Sequence, residues 1–416
     1  MSAVSVTTPA PTGGMRGSRR TVILALALGA FGIGTTEFVA MGLLPSIAES
    51  LGTSEPTAGH VISAYALGVV VGAPLIAALT ARMSRRTLLI ALMIAFTVGN
   101  AATVFAQSYG MLMFARFIAG LPHGAYFGVA SLVAAYLAGP SSRAKAVGQV
   151  MLGLSVANVV GVPAATWLGS ALGWRAAFVV VAAIGLLTIA ALWWYLPSLT
   201  GMKITNPMTE LGALVRPQVW FTLFIGIVGF GGMFAFYTYI NTTLTSVSGV
   251  SESLIPIALM LFGLGMVAGN LAGGWLADRG VVRAIAIGLV AIMAMLLLFA
   301  LLASNAWAAL ALTFLIGLSG TALTPALQIR LMDVADDAQT LAAALNHSAL
   351  NIANAGGAWL GGLVIAAGYG YRAPSVLGAG LAVAGLLVLA LALLYARRTK
   401  RKAAPVVEPL VTADAR

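Results

Sequence analysis

Long apolar stretches separated by short polar turns recur along the chain from Thr21 to about residue 396. Crossing a hydrocarbon core as a helix takes roughly 20 apolar residues, and twelve stretches reach that length. The pattern predicts helix 1 over residues 21–44, helix 2 over 58–80, helix 3 over 87–106, helix 4 over 111–138, helix 5 over 147–169 and helix 6 over 176–196. A polar linker at 197–217 follows. Helices 7 to 12 are then predicted over 218–240, 253–277, 284–303, 308–331, 341–366 and 374–396. The reading is an all-α membrane protein. It has a disordered tail rich in Ser, Thr, Pro and Gly at 1–20, a six-helix bundle at 21–196, the linker, a second bundle at 218–396 and a basic tail at 397–416. The apolar run after Arg19 and Arg20 also resembles a signal peptide. It outlasts a typical signal core and carries Glu37, which predicts a retained first span.

Composition narrows the class. Of 416 residues, 60% are hydrophobic and 8% charged, against roughly 25% charged in soluble domains, which excludes an ordinary globular enzyme. The absence of cysteine excludes a disulfide framework and thiolate metal sites. A net charge of +11 is spread among apolar runs rather than gathered into a basic domain, so it predicts no nucleic-acid partner. Its distribution speaks of orientation instead. Twelve spans return both termini to one side, and 19 of the 22 Lys and Arg lie there, including Arg82, Arg85, Arg86 and Arg279. Arg175 and Arg372 lie opposite, and Arg116 falls inside helix 4. Cytoplasmic loops retain positive charge, so both tails and the linker are expected in the cytoplasm. No GxxxxGK[ST] motif occurs, so ATP does not drive the cycle directly and no cofactor is expected.

The two halves repeat. Leu79 and Arg82 recur as Leu276 and Arg279, and Trp174-Arg175 as Tyr371-Arg372, each 197 positions on; LSVAN at 154–158 returns as LNIAN at 350–354. Parallel six-helix halves around a midplane site suit a rocking secondary transporter. Three segments carry a family resemblance: GTTEFVAMGLLPSIA in helix 1, RFIAGLPHGAYFG in helix 4 and GLSVANVVGVP in helix 5. From helix 1 to helix 12 the chain resembles the major facilitator superfamily, within it the twelve-helix drug/proton antiporters and the bacterial chloramphenicol-resistance and sugar-efflux permeases. The resemblance implies a monomer in the bacterial inner membrane. Its partners would be protons and a small molecule, exchanged by alternating access to export amphiphilic drugs. Efflux of a sugar (arabinose-type) or another metabolite, and proton-coupled uptake, are the alternatives. One departure is visible. Ala81 stands where the family has an Asp in the loop between helices 2 and 3, ahead of Arg82, Arg85 and Arg86, whereas the second half keeps Asp278 and Arg279.

Ionisable groups inside hydrocarbon are costly and functional by default, and Glu37 and Arg116 are the two that stand out. A carboxyl in helix 1 can take up and release a proton as its surroundings change. Arg116 keeps its charge, so it either holds an acid ionised or binds substrate acceptors. His123, seven residues on, exchanges protons in the physiological range or serves as a hydrogen-bonded packing residue. At an offset of 197 the second half has Phe234, Thr313 and Gly320 in their places, which puts proton handling in the first half.

Uncharged polar and aromatic faces supply candidate substrate contacts: Tyr126 in helix 4, Phe234, Tyr237 and Asn241 in helix 7, Gln328 in helix 10, and His347 and Asn351 in helix 11. Asn158 and Asn354, related by the repeat, read as scaffold. Gly153, Gly161 and Pro163 in helix 5 permit a close helix approach.

Overall fold

The computed structural model describes residues 18–80, 83–139, 143–199, 215–335 and 339–403. Residues 1–17 and 404–416 of the two tails, Ala81, Arg82 and most of the linker lie outside the described residues, whereas 397–403, expected as tail, continue the last helix. Within them the chain is helical, with no strand. Helix 1 is Arg19–Gly42, helix 2 His60–Leu79, helix 3 Arg85–Phe105 and helix 6 Trp174–Tyr195. Helix 7 is Pro217–Thr238, helix 8 Ile255–Asp278, helix 9 Val281–Leu302 and helix 12 Ala373–Ala403.

The other four are interrupted. Helix 4 comprises Tyr109–Gly120 and Pro122–Ala138, and helix 10 comprises Ala306–Thr321 and Leu323–Ala335. Helix 5 runs Arg143–Val156, then a π turn at Ala157–Gly161, then Val162–Leu172. Helix 11 is Gln339–Val364, closed by a π turn at Ile365–Tyr369. Among the described residues, eleven helices are long and apolar enough to cross a membrane. Helix 2, at 20 residues and therefore about 30 Å long, is the twelfth.

Two of the interruptions have a covalent cause. Proline lacks the N–H that would bond four residues back. Helix 4 accordingly breaks at Leu121, just before Pro122, and helix 5 takes its π turn just before Pro163.

The repeat read from the sequence is also a repeat of packing. A Cβ on Gly68, Gly72 or Gly120 would run into the backbone carbonyls of Phe117, Leu121 and Tyr65, so helices 2 and 4 touch backbone to backbone. At 197 positions on, Gly265, Gly269 and Gly317 meet the carbonyls of Phe314, Leu318 and Phe262 in helices 8 and 10. Helix 1 breaks at Leu43 and helix 7 at Tyr239, 196 apart.

The outer surface suits lipid. Seven of the eight tryptophans are exposed and sit toward helix ends. Trp193, Trp194, Trp220 and Trp275 lie on the side of the termini, and Trp167, Trp307 and Trp359 toward the far side. Two such girdles mark the headgroup levels of a bilayer.

The halves close on each other at the end remote from the termini. Asn241 Nδ2 donates to the Gly42 carbonyl (2.6 Å), Thr242 Oγ1 to the Glu55 carboxylate (2.5 Å) and Ser63 Oγ to the Ala355 carbonyl (3.0 Å). Each of these side-chain hydrogen bonds crosses between the halves, and the Tyr371 hydroxyl adds another to the Glu55 carboxylate. The apolar core also bridges the halves there, from Phe38–Ile47 to Phe230–Leu259.

Candidate substrate and proton site

Helix 1 carries Thr36 and Glu37, both buried, at its inner face. Arg116, on the first segment of helix 4, is 1% exposed and reaches across to Thr36: Nη1 donates to Oγ1 and Nη2 to the backbone carbonyl, each at 2.9 Å. The Thr36 hydroxyl passes its own hydrogen to Asn100 Oδ1 (2.5 Å), and Asn100 Nδ2 donates to the Phe96 carbonyl (2.8 Å). The guanidinium lies over the ring of Tyr65 at 4.5 Å and over Phe178 at 5.3 Å. It is thus held by helices 1, 2, 4 and 6, while its Nε finds no acceptor.

Glu37 is 7% exposed, and no described residue donates a hydrogen bond to its carboxylate. The Arg116 charge nevertheless acts on it. The direct Glu37–Arg116 hydrogen bond is therefore not made; the arginine is fastened one residue away, on Thr36. This leaves a carboxylate free to change protonation beside a fixed cation, where a buried charge needs a compensating neighbour.

His123 starts the second segment of helix 4 and is buried. Its Nδ1 lies 3.0 Å from the Tyr65 hydroxyl, so Tyr65 meets Arg116 with its face and His123 with its edge oxygen. The His123 ring then neighbours Phe127 (5.2 Å), which stacks on His347 of helix 11 (5.8 Å, 3°). An array of Arg116, Tyr65, His123, Phe127 and His347 thus runs from one half to the other.

The second half supplies the aromatic wall. Phe234 stacks on Phe38 (6.4 Å), and Tyr237 meets Phe38 edge-on (5.9 Å) while stacking on Phe262 at 4.0 Å. Phe38 immediately follows Glu37, so this wall adjoins the carboxylate along helix 1.

The remaining sequence candidates are dispersed. Tyr126 is fully buried with its hydroxyl on the Leu26 carbonyl (2.9 Å), which spends it on joining helix 4 to helix 1. Asn241 lies beyond the break of helix 7, bonded to Gly42 at the far end. Gln328 accepts from Asn346 Nδ2 (2.6 Å), and Asn351 Nδ2 donates to the His347 carbonyl (3.0 Å). Asn158 donates to Leu154 in its own helix, and Asn354 is buried with neither amide atom partnered. Gly153 and Gly161 pack against Ala27 and Thr35 of helix 1.

Near the termini side, Arg85 opens helix 3, and Arg86 donates to the Trp193 carbonyl at 2.6 Å. Asp278 ends helix 8 exposed to solvent, and Arg279 stacks on Trp275 at 3.5 Å.

Thr36, Tyr65, Asn100 and Phe38 were not singled out by sequence. Uncharged polar and aromatic residues are ordinary inside spans; Thr36 and Phe38 flank Glu37 in the chain, but only the fold brings Tyr65 and Asn100 to them and to Arg116.

The comparisons agree with this architecture. The family model described as Major Facilitator Superfamily matches residues 26–248 and 236–413. The chain is 44% identical to the Inner membrane transport protein YdhP of Escherichia coli (strain K12) over 367 residues, 88% of this chain and 94% of that one. It is 34% identical to the Chloramphenicol resistance protein of Streptomyces lividans over 378 residues, 89% and 94% of the respective chains. Its fold is that of a bacterial homologue of the human lysosomal transporter Spinster, solved inward-facing and unoccupied. That likeness has a TM-score of 0.71 at 18% identity, covering 93% of this chain and 98% of that one. With its twelve helices, repeated halves and matched sequence, the chain is a multi-pass membrane transporter that belongs to the Major Facilitator Superfamily.

Proposed function

We propose that the chain is a proton-coupled antiporter that exports small amphiphilic molecules, chloramphenicol-like drugs among them, across a bacterial inner membrane. In this reading the termini and linker are cytoplasmic, residues 21–196 and 218–396 are the rocking halves, and the far end faces outside. The observation that carries it is Glu37: an unpartnered carboxylate in helix 1, one residue from the threonine that fixes Arg116, and next to the aromatic wall of Phe38, Phe234 and Tyr237. Phe234, Thr313 and Gly320 in the other half leave the proton chemistry to the first.

Protonating Glu37 removes a negative charge beside a fixed positive one, which changes how strongly helix 1 is drawn to its neighbours and so biases the equilibrium between the two faces. A ligand against the aromatic wall senses the same equilibrium, and the coupling is reciprocal. Stacked and edge-on rings offer apolar area with little hydrogen-bonding demand, which suits an amphiphile. The 34% identity to a chloramphenicol resistance protein supports a phenicol as the first substrate to try.

The test is transport in proteoliposomes under an imposed pH gradient, with a phenicol, a lipophilic cation and a pentose as probes. Antiport predicts that the phenicol or the lipophilic cation moves opposite to the protons. Movement in the same direction as the protons, or of the pentose alone, would overturn the reading.

A further inference from the structure

A second carboxylate sits where the halves meet, on a different helix from Glu37. Glu55 opens the short helix Glu55–Ala58 between helices 1 and 2, which Ser54 caps by accepting the Thr57 N–H at 3.3 Å. The cap and Pro56 at the first turn fix where this short helix begins, and so the backbone position of Glu55. It points across the seam: its Oε2 accepts from Thr242, just beyond helix 7, at 2.5 Å, and its carboxylate also accepts from the Tyr371 hydroxyl between helices 11 and 12. Of the hydrogen bonds described above that close the far end, these are the ones containing an acid.

Among the described residues no cation acts on Glu55. Tyr239, beside the seam, gives its hydroxyl to the Ala358 carbonyl (2.9 Å). The segment Leu44–Ser50 carries the exposed Glu49. At the start of helix 2, His60 has Nδ1 3.0 Å from the Tyr109 hydroxyl. Arg372 turns to the Ala300 carbonyl, and Arg175 to Ser50 and the Ala106 carbonyl. The part of helix 11 packed on Pro56 presents Gly362.

We propose that Glu55 is a second protonation site of the transport cycle, one that takes its proton from the far-side solution as the halves close, so that acidifying that side favours the far-end-closed state. The proposal rests on the alternating-access reading above. In the closed arrangement, half-burial at the seam raises the Glu55 carboxyl above the usual carboxylate range, and the hydrogen bonds from Thr242 and Tyr371 offset only part of that rise. An open seam exposes the group to water, where a glutamate titrates near ~4.3. The closed state therefore binds the proton more tightly. Its advantage is complete below the open-state pKa and is lost as pH rises through the raised, closed-state value. One proton is taken up on closing and returned to the same side on opening, so the site responds to outside pH without itself carrying a proton across.

The chain contains no cysteine, so paired labels can be introduced without background. Spin labels at Ala171→Cys and Ser304→Cys, exposed far-end positions in opposite halves, report the seam as a distance distribution over about pH 4 to about pH 8. The series is run with Glu37 intact and again with Glu37→Gln. The expected result in both is a closed population that grows as pH falls, by at most about tenfold in the closed-to-open ratio per pH unit for one proton. Glu55→Gln should flatten this response. Thr242→Val and Tyr371→Phe, which keep the acid but remove a donor to its charged form, should each move the midpoint to higher pH. His60→Gln should not move it. An unchanged pH response in Glu55→Gln, or unmoved midpoints in both donor variants, would overturn the proposal while leaving alternating access intact. A single distance population at every pH would overturn both.

Discussion

A guanidinium in the middle of a membrane span has to be held, and the way Arg116 is held sets what Glu37 can do. Both terminal nitrogens are spent on Thr36, and the plane rests on Tyr65. Lysine is a point charge without the planar fork and cannot satisfy both Thr36 oxygens while covering the ring. Arg116→Lys should fold but transport at least roughly tenfold more slowly, which corresponds to about 1.4 kcal/mol; initial rates in vesicles decide it, and an undiminished rate would make Arg116 a generic cation. Thr36→Val keeps the shape but leaves Arg116 Nη1 and Asn100 Oδ1 with one partner fewer. Stranding buried polar atoms costs about 1–3 kcal/mol, so the variant should unfold at lower temperature in detergent, and Thr36→Ser should restore it.

Among helices, the glycines decide which contacts are rigid. Gly269 has no room for a Cβ against Leu318, whereas Gly274, further along helix 8 and on another face, has open space around it. Replacing glycine by alanine in a helix ordinarily gains up to about 1 kcal/mol. Gly269→Ala should instead lose about 1–3 kcal/mol through overpacking, and Gly274→Ala should be neutral or stabilising, as thermal unfolding of the two variants would measure. A loss of stability in both would mean that the close approach is not what the glycine serves.

The same contrast explains what the sequence discloses. The spans were readable because hydropathy at a length of 20 residues is a strong signal, and Glu37 and Arg116 because charge in such a run is rare. The break in helix 4 was announced by Pro122. Thr36, Asn100 and Tyr65 were not readable, since their importance lies in which other helix they meet. Glu55 falls between predicted helices 1 and 2, where nothing in the sequence marks its partners in the other half. The glycine pairs at an offset of 197 were present in the sequence all along, yet a glycine's packing partner is a backbone carbonyl, which no residue type announces.

At the scale of the whole molecule, tight glycine contacts join helices within each half, Gly263 meets the Asn158 backbone between the halves, and hydrogen bonds close the far end. The tryptophan girdles lie at two levels along the helices, and the Lys and Arg bias predicts which end is cytoplasmic. Reporter fusions after Lys203 and after Arg401 should read cytoplasmic, and one after Thr53 external; an external reading at Lys203 would break the two-by-six arrangement.

The central claim is that Glu37 couples protons to export. The most direct measurement compares the native chain with Glu37→Gln in proteoliposomes, under an imposed pH gradient and in substrate exchange without one. Glutamine stands in for the protonated acid, so exchange should persist while gradient-driven efflux is lost. Gradient-driven efflux at the native rate in Glu37→Gln would contradict the account.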